Sequence, residues 1–187
     1  MFEQLTQLAQ QFGVDSVINN AAVPNEKNEA VLGEASNSVL SGLQKVVSEG
    51  GIDQLAGLFQ GNNATNSTNP VVQKLTQELS GNLGEKFGIN ASDASGVASK
   101  LIPQILGALV SKAKDPNDSS FEISDIIGAI TGDAGKNSGI MDAISTYGGQ
   151  FGLDQNGDGK VDISDAMDAV TKKGGGIGGM LGGLFGK

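Results

Sequence analysis

Cysteine, histidine, arginine and tryptophan are all missing from this sequence, and each of its 12 basic residues is a lysine. Every absence removes a mechanism. Without cysteine there is no disulfide, thiolate nucleophile, thiolate zinc site or iron–sulfur cluster. Without histidine there is no Ser-His-Asp triad and no imidazole metal ligand. Without arginine there is no bidentate clamp on phosphate or carboxylate. Aromatic residues are only 4% of the chain, so a core has to be built from Leu, Ile, Val and Ala. No apolar run approaches the roughly 18 residues that span a bilayer.

What is present is acidic, small and oxygen-rich. The 187 residues suit one domain or two small ones. There are 21 carboxylates, 29 glycines and a formal net charge of -9. An acidic chain without basic clusters is a poor phosphate binder, so no nucleic-acid partner is expected. Carboxylate, amide and hydroxyl oxygens suit hard cations, Ca²⁺ or Mg²⁺. The opening MFEQLTQLAQQFG carries an acid at Glu3 and no basic residue, which reads as an amphipathic helix and not a signal peptide. On that ground the expected location is cytoplasmic, with secretion without a cleavable signal as the alternative.

Helical periodicity dominates, and no segment alternates as a strand does. Phe2, Leu5, Leu8 and Phe12 share one face of the opening helix. Leu32, Ala35, Val39, Leu43 and Val46 recur at steps of three and four between Glu26 and Glu49, until Gly50-Gly51 stops the helix. Ile52, Leu55, Leu58 and Phe59 form a short helix. A polar stretch follows, and helix resumes from Val71 to Phe87. Ser92 is the expected N-cap of the next helix, with Val97, Leu101, Ile105, Ala108 and Leu109 inward. Pro103 lies inside that pattern, as a kink or as the helix's true first turn. Further helices are expected over Ser124–Thr131, Ser138–Phe151 and Ser164–Lys172.

The pattern also repeats. Ala35–Ser48 aligns without a gap on Ala98–Ser111, and Gly51–Gly61 resembles Glu122–Gly132. Phe-Gly followed by an apolar residue recurs at Phe12, Phe87 and Phe151. The expectation is an all-α, multi-helix bundle of two divergent helical repeats. Residues 1–62 form the first repeat, 63–70 a polar linker, 71–173 the second repeat, and 174–187 a Gly-rich apolar tail.

The strongest chemical signal is DQNGDGKVDISD, Asp154 to Asp165, which has the spacing of an EF-hand calcium loop. Asp154, Asn156 and Asp158 take positions one, three and five. Gly159 permits the sharp turn at position six. Lys160 offers its carbonyl at position seven, Val161 is the apolar plug, Asp162 takes position nine, and Asp165 closes the loop. Calcium wants six to eight oxygens, and ligands alternating along a tight loop supply them. Four carboxylates that repel one another without metal attract it when it binds. The C-terminal half is therefore expected to be EF-hand-like. The loop also resembles those of dockerin modules, which close with Asp at position twelve. Dockerins carry two such loops and bind cohesins; one good copy here does not imply that partner.

A degenerate second loop is a candidate at Asp115–Asp125, with Asp115, Asn117, Asp118, Glu122 and Asp125 at ligand positions if one residue is missing after Asn117. Phe121 replaces the plug and Ser119 stands where Gly belongs. Its alternative is a polar loop in which Glu122 or Ser124 caps the next helix.

In the tail, Ile177, Met180, Leu181, Leu184 and Phe185 follow helical spacing among eight glycines. At about 1 kcal/mol of lost helix propensity per Gly, this is no autonomous helix. It needs an apolar surface to dock on, which makes it the candidate contact for a second copy or a protein partner. Membrane contact is not expected. Together, Lys86–Ala113 and the GGxxGGLxG tail resemble the YidB-like bacterial domains of unknown function. That resemblance implies a helical fold and a bacterial source, but no activity; the calcium loop departs from the family pattern.

The function expected from these features is calcium binding without catalysis, the metal ordering the C-terminal helix-loop-helix. The alternative is a self-assembling or surface- or membrane-associated structural protein with an accessory calcium site. An enzyme is not expected: carboxylate pairs such as Glu78 and Glu85 are not singled out by spacing.

Overall fold

A computed structural model describes residues 1–59 and 62–115, together with Ile126, residues 128–130 and Gly157. The chain divides into two compact units, Met1–Gly135 and Lys136–Lys187. The fold is all-α, with no strand among the described residues. Five α-helices are described: α1 (Phe2–Gly13), α2 (Asn28–Ser48), α3 (Ile52–Leu58), α4 (Pro70–Phe87) and α5 (Ala91–Ala113).

The helices begin and end for local reasons. Asn69 caps α4, its side chain accepting from the Val71 N–H at 2.9 Å, and Pro70 occupies the first turn, where its missing N–H is harmless. Asn90 caps α5 by accepting from the Asp93 N–H at 3.0 Å. The cap is therefore Asn90 and not Ser92. At the far end of α4, Gly88 turns left-handed at φ 66°. Its N–H reaches the Gly84 carbonyl, and Ile89 N–H reaches that of Leu83, satisfying the last carbonyls. The three-residue reversal, Gly88 to Asn90, makes α4 and α5 a helical hairpin.

The Phe-Gly motif does different work in its first two copies. Gly88 terminates α4, whereas Gly13 stays helical, and the chain winds on through a π-helical turn, Val14–Ile18. A Cβ on Gly13 would lie 2.2 Å from Leu32 Cδ2, so the glycine lets α1 approach α2. The third copy, at Phe151, lies outside the described residues.

Four helices close a ring. α1 packs on α2 and α5, and α4 packs on the same two. The buried positions of α2 and α5 coincide in the gapless alignment, except that Ser36 is buried and its counterpart Ser99 is exposed. Ser38, Val39, Gly42, Leu43, Val46 and Val47 match Leu101, Ile102, Ile105, Leu106, Leu109 and Val110, and all are buried. Ser38 and Gly42 are the small members of their pairs, and they face α4.

α5 is the most apolar element. Pro103 stands inside it, so the helix neither starts nor stops there. By length and composition α5 could cross a membrane, and 50% of that stretch is buried inside the bundle. Such a composition is that of a core helix. Three inward assignments change: Ala108 and Phe12 are half-buried, and Phe2 is 47% exposed, leaving Leu5, Leu8 and Ala9 as the buried apolar face of α1.

The stretch expected as a polar linker is built of hydrogen-bonded turns. Asn63–Thr65 forms a 3₁₀ turn with Ala64 buried, and the Asn63 side chain donates to the Gly57 carbonyl at 2.8 Å. Asn66 Oδ1 accepts from both the N–H and the hydroxyl of Thr68, an Asx turn. Thr65 leans on α5 at Gly107, where a Cβ would meet Thr65 Cγ2 at 2.5 Å.

Candidate functional site

Of the loop Asp154–Asp165, the described residue is Gly157; Asp154, Asn156, Asp158, Lys160, Asp162 and Asp165 lie outside the described residues. Gly157 occupies loop position four. It is exposed, with a left-handed φ of 78°. No heavy atom lies within 4 Å of where its Cβ would be. In the sequence this position falls between two of the expected ligand positions, Asn156 and Asp158. The reading of the loop from its ligands and Gly159 passed over this residue. The Asn-Gly dipeptide, a strong turn signal, marks it.

Of the second loop, Asp115 is described, and Asn117, Asp118, Glu122 and Asp125 lie outside. Asp115 is exposed just beyond α5, and its N–H donates to the Lys112 carbonyl at 3.1 Å. Beyond this loop, Ile126 and residues 128–130 are helical, and Ile126 and Ile130 are buried. The Ala129 carbonyl accepts from Gln44 Nε2 on α2 at 2.9 Å. Among the described residues, no three acidic side chains gather to hold a metal. The expected helices Ser138–Phe151 and Ser164–Lys172 and the tail from Gly174 lie outside the described residues.

The one concentration of polar chemistry within the described helices is a seam between α2 and α4. Glu34 is only 9% exposed. Its Oε1 accepts from Asn82 Nδ2 and from Lys86 Nζ, each at 2.8 Å. The same Asn82 nitrogen reaches Ser38 Oγ at 3.3 Å. One turn along, Ser41 Oγ donates to Glu78 Oε1 at 3.2 Å. At the end of the seam Lys74 pairs with Glu49. Going up α2 from Glu34 to Glu49, the partners run down α4 from Lys86 to Lys74, which defines an antiparallel register. Lys27, just before α2, donates to the Phe87 carbonyl at 2.8 Å, placing a cation at the negative end of α4.

The electrostatics of the seam are those of a structural contact. Lys74, through its hydrogen bond and its charge, holds the Glu49 carboxyl below the usual glutamate range, with a smaller contribution from Lys45. Glu78 is engaged by Ser41, while Glu85 is exposed, so the seam joins carboxylates to donors and does not pair them with each other. None of these residues was selected at the level of sequence, because their grouping depends on the α2–α4 register.

One further surface feature is apolar. Phe2, Val14 and Ile18 are 47%, 44% and 42% exposed along α1 and its π-helical extension. Compared with protein-family models, curated proteins and solved structures, the chain matches none of them.

Proposed function

We propose that this chain is a calcium-binding, non-enzymatic helical protein in which the metal orders the helix-loop-helix around Asp154–Asp165. The observation that carries the reading is the oxygen-ligand spacing of that loop, with left-handed Gly157 between its second and third ligand positions. The donor set fits the ion. Asp154, Asp158, Asp162 and Asp165 supply carboxylates, Asn156 an amide oxygen and Lys160 a carbonyl. Calcium would supply charge neutralisation and a fixed geometry, and no reaction is attached to it. The likeness to YidB-like domains fits an all-α chain and adds no activity.

Calorimetric titration of the full chain with calcium chloride tests the reading. Saturable heat is expected, and it is expected to vanish in Asp158→Ala. No heat at millimolar calcium overturns the proposal. The exposed Phe2, Val14 and Ile18 favour a second reading, a self-assembling protein with an accessory calcium site. Sedimentation of the full chain and of a chain lacking Gly174–Lys187 tests it; a monomer in both rejects it.

A further inference from the structure

We propose that Asn66 is an acceptor for asparagine-linked glycosylation. Its side-chain nitrogen takes an oligosaccharide from a lipid pyrophosphate carrier, and the fold singles it out from the other candidate asparagines. The proposal is independent of the calcium reading. An oligosaccharyltransferase reads Asn-x-Ser or Asn-x-Thr, with any x but proline. The sequence holds four such triplets, beginning at Asn63, Asn66, Asn90 and Asn117. Asn117 lies outside the described residues, and the structure separates the other three.

Asn66, Ser67 and Thr68 are all exposed, on the turns between α3 and α4. The Asn66 backbone is extended, at φ -82° and ψ 112°. Its Oδ1 accepts from the Thr68 N–H at 3.0 Å and from the Thr68 hydroxyl at 2.8 Å. The two groups that define the motif, amide and hydroxyl, are therefore already in contact. Both donors draw charge onto the oxygen, which makes the protons on Nδ2 easier to lose. Among the described residues, Nδ2 itself donates to no protein atom. The stretch from Asn62 to Pro70 carries no charged residue and no aromatic ring to obstruct an approaching sugar.

The other two triplets are closed. Asn63 is half-buried, and its nitrogen is spent on the Gly57 carbonyl at 2.8 Å. Its hydroxyl partner, Thr65, donates instead to the Asn62 carbonyl at 3.0 Å. Asn90 is the cap of α5: its oxygen accepts from the Asp93 N–H, and its nitrogen donates to the Asp93 carboxylate. Ser92 is already wound into that helix.

In the transfer, Asn66 Nδ2 attacks C1 of the first sugar. The bond from Nδ2 to C1 forms, the bond from C1 to the pyrophosphate oxygen breaks, and its electron pair leaves with the lipid pyrophosphate. One amide proton passes to a base of the transferase, and nothing is oxidised or reduced. This chemistry belongs to surface loops of exported chains, so the proposal favours export over a cytoplasmic location.

The test incubates the folded full chain with a single-subunit oligosaccharyltransferase and a polyprenyl-pyrophosphate-linked oligosaccharide, and maps glycopeptides by mass. One glycan is expected, at Asn66, with Asn63 and Asn90 unmodified. Thr68→Ala, shown by far-UV circular dichroism to keep its helix content, is expected to lose the glycan, and Thr68→Ser to retain it. A synthetic peptide of residues 62–94 holds the same three triplets without the bundle, and it is expected to be modified at Asn90 as well. No transfer to folded Asn66, while a short acceptor peptide in the same mixture is glycosylated, overturns the proposal. So does transfer to Asn63 or Asn90 of the folded chain as fast as to Asn66, or transfer that survives Thr68→Ala. A peptide modified at Asn66 alone overturns the selection by the fold.

Discussion

Gly42 of α2 sits so close to α4 that a Cβ built on it would lie 1.9 Å from Leu75 Cδ2. Leu75 is itself fully buried, so its side chain has nowhere to retreat. Gly33, on the same helix, has nothing within 4 Å of its Cβ position. Both positions would gain the same helix propensity from alanine, about 1 kcal/mol. Gly33→Ala should therefore stabilise by up to about 1 kcal/mol. Gly42→Ala should destabilise by about 1–2 kcal/mol after overpacking is set against that gain. Urea denaturation of the two variants measures the difference; equal effects would mean that α2 and α4 are not closely packed at Gly42.

Removing the cation over Glu34 should weaken the same interface. Lys86→Met leaves the buried carboxylate with Asn82 as its remaining partner. Because the Lys86 side chain is 50% exposed, the loss is discounted from that of a fully buried pair to about 1–2 kcal/mol. A double-mutant cycle with Glu34→Gln isolates the coupling. Zero coupling would show the bond to be idle.

The cap of α5 can be read by deletion. Asn90→Ala should cost about 1 kcal/mol. Ser92→Ala, in the exposed first turn of α5, should stay within about 0.5 kcal/mol. A thermal melt in which the two variants exchange these effects would return the cap to Ser92.

Glu49 sets a pH dependence whose sign is fixed. Its carboxyl titrates below the ordinary glutamate range in the folded chain. The stabilisation it lends is present above the unfolded value and is lost as pH falls through the folded one. Its exposure keeps that contribution small and sensitive to salt. An NMR titration should find the Glu49 midpoint low, and Lys74→Met should move it up. An unmoved midpoint would sever the pair.

The proposed loop makes a prediction by linkage. At free calcium a hundred times the dissociation constant, the unit that holds the metal should gain about 2.7 kcal/mol, and chelation should reverse it. Asp165→Glu adds the methylene that a bidentate closing ligand needs, and it should tighten binding by about tenfold, or 1.4 kcal/mol. Weaker binding by Asp165→Glu would mean that the loop is closed to suit the shorter side chain.

Helices were legible in this sequence because each carries its own apolar period, and the stripe from Leu32 to Val46 is buried throughout. Phe2 was misassigned because periodicity finds a face and not its extent; the core-facing part of α1 begins at Leu5. Ser92 and Asn90 are both good capping residues, and only the backbone decides: Asn90 is extended, at φ -62° and ψ 153°, while α5 has already begun at Ala91. The seam from Glu34 to Lys86 was illegible for a deeper reason. Its residues are 52 apart in sequence and meet only through the antiparallel register of two helices. The polar stretch after α3 looked like a tether because it lacks apolar residues, yet its asparagines and threonines bond to one another and hold a turn. For the proposed metal loop, the spacing from Asp154 to Asp165 is the main support, and Gly157 adds one backbone angle to it.

The ring of α1, α2, α4 and α5 has a consequence for synthesis. α1 is made before α5, yet α5, which ends at Ala113, is one of its two partners. Until that helix has left the ribosome, Leu5, Leu8 and Ala9 have only one of their two neighbouring helices. The nascent chain must therefore carry a half-covered apolar helix through most of the bundle's translation. A chain stalled before α5 emerges should be held by chaperones and cut by proteases, and one stalled beyond it should escape both.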